Sequence, residues 1–190
     1  MVAVSKSRKT PLLIGVAVGS LLAGLSGVGQ AEQLAPKFAT PKEQPVTVEL
    51  IAEHASIRPG GSTRVGVHFT IQEGWHIYAE QPGDAGMPTL VMWRKFPGVR
   101  FGDLKWPKPQ EFTDPGDIHT RGYAKDVVLS SRLILLADTR DTVPLEAQVQ
   151  WLACHDVCIP GSERVMLSLP VSKESPKASP EAALFGSPGA

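Results

Sequence analysis

Residues 145–169 read Leu145-Glu-Ala-Gln-Val-Gln-Trp-Leu-Ala-Cys154-His-Asp-Val-Cys158-Ile-Pro-Gly-Ser-Glu-Arg-Val-Met-Leu-Ser-Leu169. In the first run Leu145, Ala147, Val149 and Trp151 alternate with Glu146, Gln148 and Gln150; in the second Val165, Leu167 and Leu169 alternate with Met166 and Ser168. Successive side chains of a strand point to opposite faces, so a strict period of two predicts two strands, each with one face buried. The connection between them, residues 153–162, holds both cysteines of the chain, Cys154 and Cys158. A loop carried by two rigid strands is a common place to present chemistry.

The same period recurs upstream. Val46, Val48 and Leu50 alternate with Thr47 and Glu49, and Val65, Val67, Phe69 and Ile71 alternate with Arg64, Gly66, His68 and Thr70. Gln72-Glu73-Gly74 then reads as a turn into Trp75-His76-Ile77-Tyr78, which predicts a hairpin. Apolar runs at 89–93, 99–106 and 127–136 are separated by Pro/Gly-rich stretches, and no segment of the core sustains a 3.6-residue period. Many short strands with frequent turns and no crossover helices predict an all-β fold, an immunoglobulin-like antiparallel β-sandwich, with a small barrel as the alternative.

The cysteine loop carries its own geometric condition. Cα atoms four residues apart in extended chain are roughly 13 Å apart, whereas a disulfide needs about 4.4–6.8 Å, so the segment must curl if the two are to bond. Closing so small a ring removes little unfolded-state entropy, about 2 kcal/mol against roughly 4–5 for a loop of a hundred residues. Three readings of the pair stay open at this point. It is a structural bond in an exported protein, a reversible dithiol that exchanges with a partner's disulfide, or a soft metal-ligand pair completed by His76, His119 or His155. His155 and Asp156, between the cysteines, pull the thiols in opposite directions: an imidazolium favours thiolate and a carboxylate disfavours it.

The ends of the chain differ from its middle. Lys6, Arg8 and Lys9 precede an uncharged apolar run from Pro11 to Val28 that closes in small residues. That is the layout of a secretory signal over 1–31, with an uncleaved anchor as the weaker reading. Residues 32–45, with Pro36, Pro41 and Pro45, read as a flexible leader, and 46–171 as the folded domain. Ser/Pro-rich residues 172–190 read as a disordered tail with at most a helical turn near Glu181 to Leu184. The 190 residues carry 19 Lys+Arg against 19 Asp+Glu and are 42% hydrophobic. Such a balance excludes a basic nucleic-acid-reading face and a wholly disordered chain. Removing 1–31 takes away three cations and no anion, leaving 16 against 19. The expected mature protein is mildly acidic, exported and not inserted in the membrane.

Trp151-Leu-Ala-Cys-His-Asp-Val-Cys-Ile-Pro160 resembles the Trp-Leu-x-Cys-x-Asp-x-Cys-x-Pro signature in the amino-terminal domain of DsbD/ScsB-type thiol-disulfide interchange proteins. Gly74-Trp-His-Ile-Tyr78, Pro82-Gly-Asp-Ala-Gly-Met-Pro88, Trp106-Pro107-x-Pro109 and Gly122-Tyr123 are similar to further segments of that family, in the same order. The combination is far more specific than a C-x3-C spacing alone. The resemblance implies an immunoglobulin-like periplasmic domain in which Cys154 and Cys158 are the redox pair. This pair would receive reducing equivalents from a membrane-embedded thiol reductase and pass them to periplasmic thioredoxin-like proteins, with no organic cofactor and no metal. It also implies a shielding cap loop, placed here near Asp117 to Tyr123, and site neighbours His155, Asp156, Tyr78 and Tyr123. The cysteine spacing is shorter than in the better-known branch. With no multi-helix membrane domain and no carboxy-terminal thioredoxin-like domain in the sequence, the expectation is a stand-alone domain that a separate membrane protein reduces. The rival expectations are a non-catalytic interaction module with a structural disulfide, and a copper- or zinc-handling protein using Cys154, Cys158 and histidine.

Overall fold

A computed structural model describes residues 44–136 and 141–186. The expected export signal at 1–31, the leader up to residue 43 and the last four residues lie outside the described residues. Among the described residues ten strands form: β1 (Val46–Ala52), β2 (Ser62–Ile71), β3 (His76–Gly83), β4 (Leu90–Trp93), β5 (Val99–Phe101), β6 (Gln110–Asp114), β7 (Ile118–Tyr123), β8 (Asp126–Leu135), β9 (Thr142–Cys154) and β10 (Cys158–Pro170). They pair antiparallel into two sheets, ordered β1-β2-β8-β5 and β10-β9-β3-β7-β6, with β4 also on β9. The two sheets make an immunoglobulin-like antiparallel β-sandwich rather than a closed barrel. Among the described residues no helix is long and apolar enough to cross a membrane.

Alternation decides which face each strand buries. Val65, Val67 and Phe69 of β2 and Leu129, Leu133 and Leu135 of β8 are fully buried, facing Val143, Leu145, Ala147, Val149, Trp151 and Ala153 of β9. The Phe69 and Trp151 rings meet edge to face with centroids 6.1 Å apart, joining the two layers. Each such side chain contributes roughly 1.5–3 kcal/mol by leaving water. Because β9 runs for 13 residues, it holds β10 along one edge and shares its other edge between β3 near Cys154 and β4 over Ala147–Gln150.

Two expectations are corrected. β2 and β3 are not a hairpin: β2 pairs with β1 and β8, while β3 pairs with β7 and β9 in the other sheet. The turn at 72–75 exists, closed by Trp75 N–H donating to the Gln72 carbonyl at 3.1 Å. It carries the chain from one layer to the other, which alternation cannot reveal because both layers share the period of two.

The second correction concerns the tail over 172–186, which is docked rather than disordered. Ala178 bridges His54, Ser179 Oγ donates to the Ala52 carbonyl at 2.6 Å, and a short 3₁₀ helix, Ala182–Phe185, lies across the outer face of the β2/β8 pair. The Arg64 guanidinium pairs bidentately with Glu53 and donates to the carbonyls of Phe185 (2.9 Å) and Gly186 (3.1 Å). Phe185 packs over Gly66, where a Cβ would lie only 3.2 Å from the ring. Ser/Pro composition weighs only side-chain burial, and this segment is held largely through its backbone.

Candidate redox site at the hairpin tip

The β9–β10 hairpin closes in a three-residue turn, His155-Asp156-Val157, with His155 N–H donating to the Val157 carbonyl at 3.0 Å. The turn supplies the curl that the cysteine spacing requires: Cys154 and Cys158 face each other in register with Cα atoms 4.1 Å apart and are joined as a disulfide. Their surroundings differ sharply. Cys154 is 1% exposed, whereas Cys158 belongs to the exposed part of β10 next to Val157, itself 62% exposed.

Parity explains this placement. Odd-numbered residues of β9 face the main core, so Cys154 stands on the opposite, outer face of its sheet. The pairing His76↔Cys154 puts His76 on that same outer face, and Tyr78 follows two residues on. A small second core forms there. The His76 ring stacks on Phe112 of β6 (centroids 4.4 Å, 14°) and meets Tyr78 edge to face at 5.1 Å. Asp114 of β6 brings Oδ1 to 3.7 Å from His76 Nε2 and accepts from Thr120 Oγ1 at 2.9 Å through Oδ2. Tyr78 in turn packs against Gly86, at φ +97°, where no side chain would fit.

A cleft of about 450 Å³ opens beside this cluster, between Phe112–Pro115 and the hairpin tip at His155 and Asp156. His155 lies against Trp75 (centroids 5.9 Å) and pairs with Asp156, Nδ1 to Oδ2 2.9 Å. Beneath it Gly74 takes φ +84°, and a Cβ there would come within 2.8 Å of the His155 ring, so glycine is required on both counts. Burial holds the His76 imidazole below its ordinary protonation range, an effect opposed by the Asp114 carboxylate and reinforced by His155. Burial, with the Asp114 charge, likewise pushes the Tyr78 phenol up.

The expected neighbours thus divide. His155 and Asp156 form the turn itself, and Tyr78 touches His76. Tyr123 does not reach the disulfide: it shares a row with Ile77 and Ala153, on the core face of the sheet, the side opposite Cys154. Its hydroxyl donates to the Pro107 carbonyl at 2.7 Å, which fixes the Trp-Pro-x-Pro segment, and burial pushes its phenol up to about 12. The cap expected near Asp117 to Tyr123 is also displaced, since the residues beside the hairpin tip are Phe112–Pro115, while Asp117 points to solvent. Asp114 and Phe112 carry no sequence signal. His76 has one, its place in the Gly-Trp-His-x-Tyr segment, although by residue type alone it reads only as a metal ligand. Among the described residues no group of three or more His, Cys, Asp or Glu is placed to hold a metal, and His119 lies exposed on β7 facing Asp117.

A sandwich with a disulfide across one hairpin tip defines an immunoglobulin-like domain with a thiol-disulfide site. The family model for the thiol:disulfide interchange protein DsbD, N-terminal, matches residues 42–170, and the chain belongs to that family. Among solved structures it is similar to the N-terminal periplasmic domain of ScsB from Proteus mirabilis. The two are 24% identical with a TM-score of 0.51, and the match covers 68% of this chain and 49% of that one. This chain therefore spans about half of that relative, and the likeness is one of fold. The Neisseria meningitidis DsbD N-terminal domain in the reduced form matches at 16% identity and a TM-score of 0.41, over 69% of this chain and 90% of that one. No curated protein matches.

Proposed function

We propose that this protein is a periplasmic thiol-disulfide carrier whose Cys154/Cys158 pair takes electrons from a membrane-embedded thiol reductase and delivers them to periplasmic thioredoxin-like proteins. Family membership supports thiol-disulfide interchange as the chemistry. One observation carries the reading furthest: the bond spans a hairpin tip with one cysteine exposed and its partner buried. Such an asymmetry supports distinct roles for the two cysteines in an exchange reaction. Cys158 is the sulfur that a partner can approach in line, and Cys154 is the resolving thiol that re-forms the internal bond. A purely structural bond at this place would contribute little, because the ring it closes is so short. The amino-terminal signal at 1–31 would deliver the chain to the oxidising compartment where the disulfide forms.

The reduction potential tests this. Thiol trapping of the purified protein in glutathione or dithiothreitol buffers of graded potential should place the pair between roughly −120 and −270 mV, the range of exchanging proteins. A value below about −300 mV would make the bond structural and the protein an interaction module with a fixed loop.

A further inference from the structure

His76 is buried in the outer-face cluster beside Tyr78, and the exchange reaction as described leaves its imidazole unused. Its side chain is 6% exposed, it stands directly across the strand pair from Cys154, and Nε2 has no hydrogen-bond partner. Directly opposed residues of an antiparallel pair carry their Cβ atoms about 4.5–5.5 Å apart, so His76 and Cys154 are cross-strand neighbours on the same outer face. An orphaned ring nitrogen in a buried site is unfavourable, and such an exception in a native fold marks a candidate catalytic group. The groups facing it are Cys154 from β9, Asp114 from β6, Tyr78 from its own strand and His155 from the hairpin tip. Among the described residues only Asp114 is an anion within reach of Nε2.

We propose that His76 accepts the proton of the Cys154 thiol as that thiol attacks the mixed disulfide on Cys158, with Asp114 as the positioning residue whose charge stabilises the protonated ring. The inference rests on the carrier reading above. In the first step the Cys158 thiolate attacks a partner protein's disulfide: the Cys158–partner bond forms, the partner's own S–S bond breaks, and its second sulfur leaves as thiolate and is protonated. In the second step Cys154 gives its proton to His76 and attacks Cys158. The internal bond forms, the Cys158–partner bond breaks, and the departing partner thiolate takes a proton, returned by His76 through the cleft. Two electrons and two protons pass from the cysteine pair to the partner. A buried thiol is a poor thiolate, because burial disfavours the charged form, so the second step is the one that needs a base. The depressed basicity of the buried imidazole keeps it neutral near pH 7 and ready to receive.

The test uses the reduced full chain and the chromogenic disulfide 5,5′-dithiobis(2-nitrobenzoate), which releases one thionitrobenzoate when Cys158 attacks and a second when Cys154 resolves. Rates of both releases are measured from about pH 5 to about pH 9, across the histidine and thiol ranges. In His76→Gln the second release should slow at least about tenfold near pH 7, within what a positioned base supplies, and recover as pH rises towards thiol ionisation. Asp114→Asn leaves the imidazole in place. There the acid limb of the second release should move to lower pH, because losing the carboxylate makes the ring harder to protonate. The first release should be unchanged in both variants. Equal slowing at every pH, or profiles identical to the wild type, would overturn the proton-acceptor role while leaving the carrier reading intact. A wild-type protein that gives no second release overturns both.

Discussion

Cys154 and Cys158 are the same residue four positions apart, yet β9 buries the first against an aromatic cluster and β10 leaves the second at the surface. The neighbouring glycines show how narrowly the hairpin is specified. Gly161 faces Trp151 across the strand pair, and a Cβ there would overlap the indole. Trp151 is at once a wall of the main core and, three residues on, the approach to Cys154. Gly161→Val should therefore lower stability by about 1–3 kcal/mol through overpacking, read as a fall in the urea midpoint at constant slope. An unchanged midpoint would mean that the indole has room to move.

At the scale of elements, the docked tail is the least expected part of the molecule. It joins the sandwich through Ser179, the Arg64 clamp and Phe185, which is 9% exposed. Phe185→Ala should cost about 2 kcal/mol, below the roughly 3–5 kcal/mol for truncating a fully buried aromatic, because the site lies at the rim of the fold. Protease cleavage within residues 172–186 should become faster in that variant. Tail cleavage at the wild-type rate would show that backbone hydrogen bonds alone hold the segment. The β6–β7 hairpin matters at this scale as well, since it delivers Phe112 and Asp114 to a site whose cysteines lie some forty residues further along the chain.

For the whole molecule, the buried His76 couples folding to pH. Its protonation is depressed in the fold relative to an unfolded value of about 6.5, so the unfolded chain binds the proton more readily. The neutral form is fully accommodated above that value, and stability is lost as pH falls through it towards the lowered folded value. Urea midpoints measured from about pH 8 down to about pH 5 should decline more steeply for the wild type than for His76→Gln. Parallel curves would assign the decline to other groups. Glu53 adds loss only at lower pH, because Arg64 holds its carboxyl below the ordinary carboxylate range.

What the sequence determined by itself is everything with a local period or a local spacing. The alternation in 46–50, 65–71, 145–151 and 165–169 sets strands and their buried faces, because i and i+2 side chains share a face whatever else the chain does. It also places both cysteines in the connection between two strands, and the family resemblance came from motifs within single segments. The tertiary structure decided the partners: that β3 leaves β2 for the other sheet, that Tyr123 looks into the core while His76 and Asp114 meet beside Cys154, and that residues 172–186 pack onto the fold. Hydrophobic burial is non-directional, and apolar periodicity records that a face is covered without recording by what. Which distant strands pair is settled only when the layers pack, and the chemistry on the outer face of the sheet follows from that pairing.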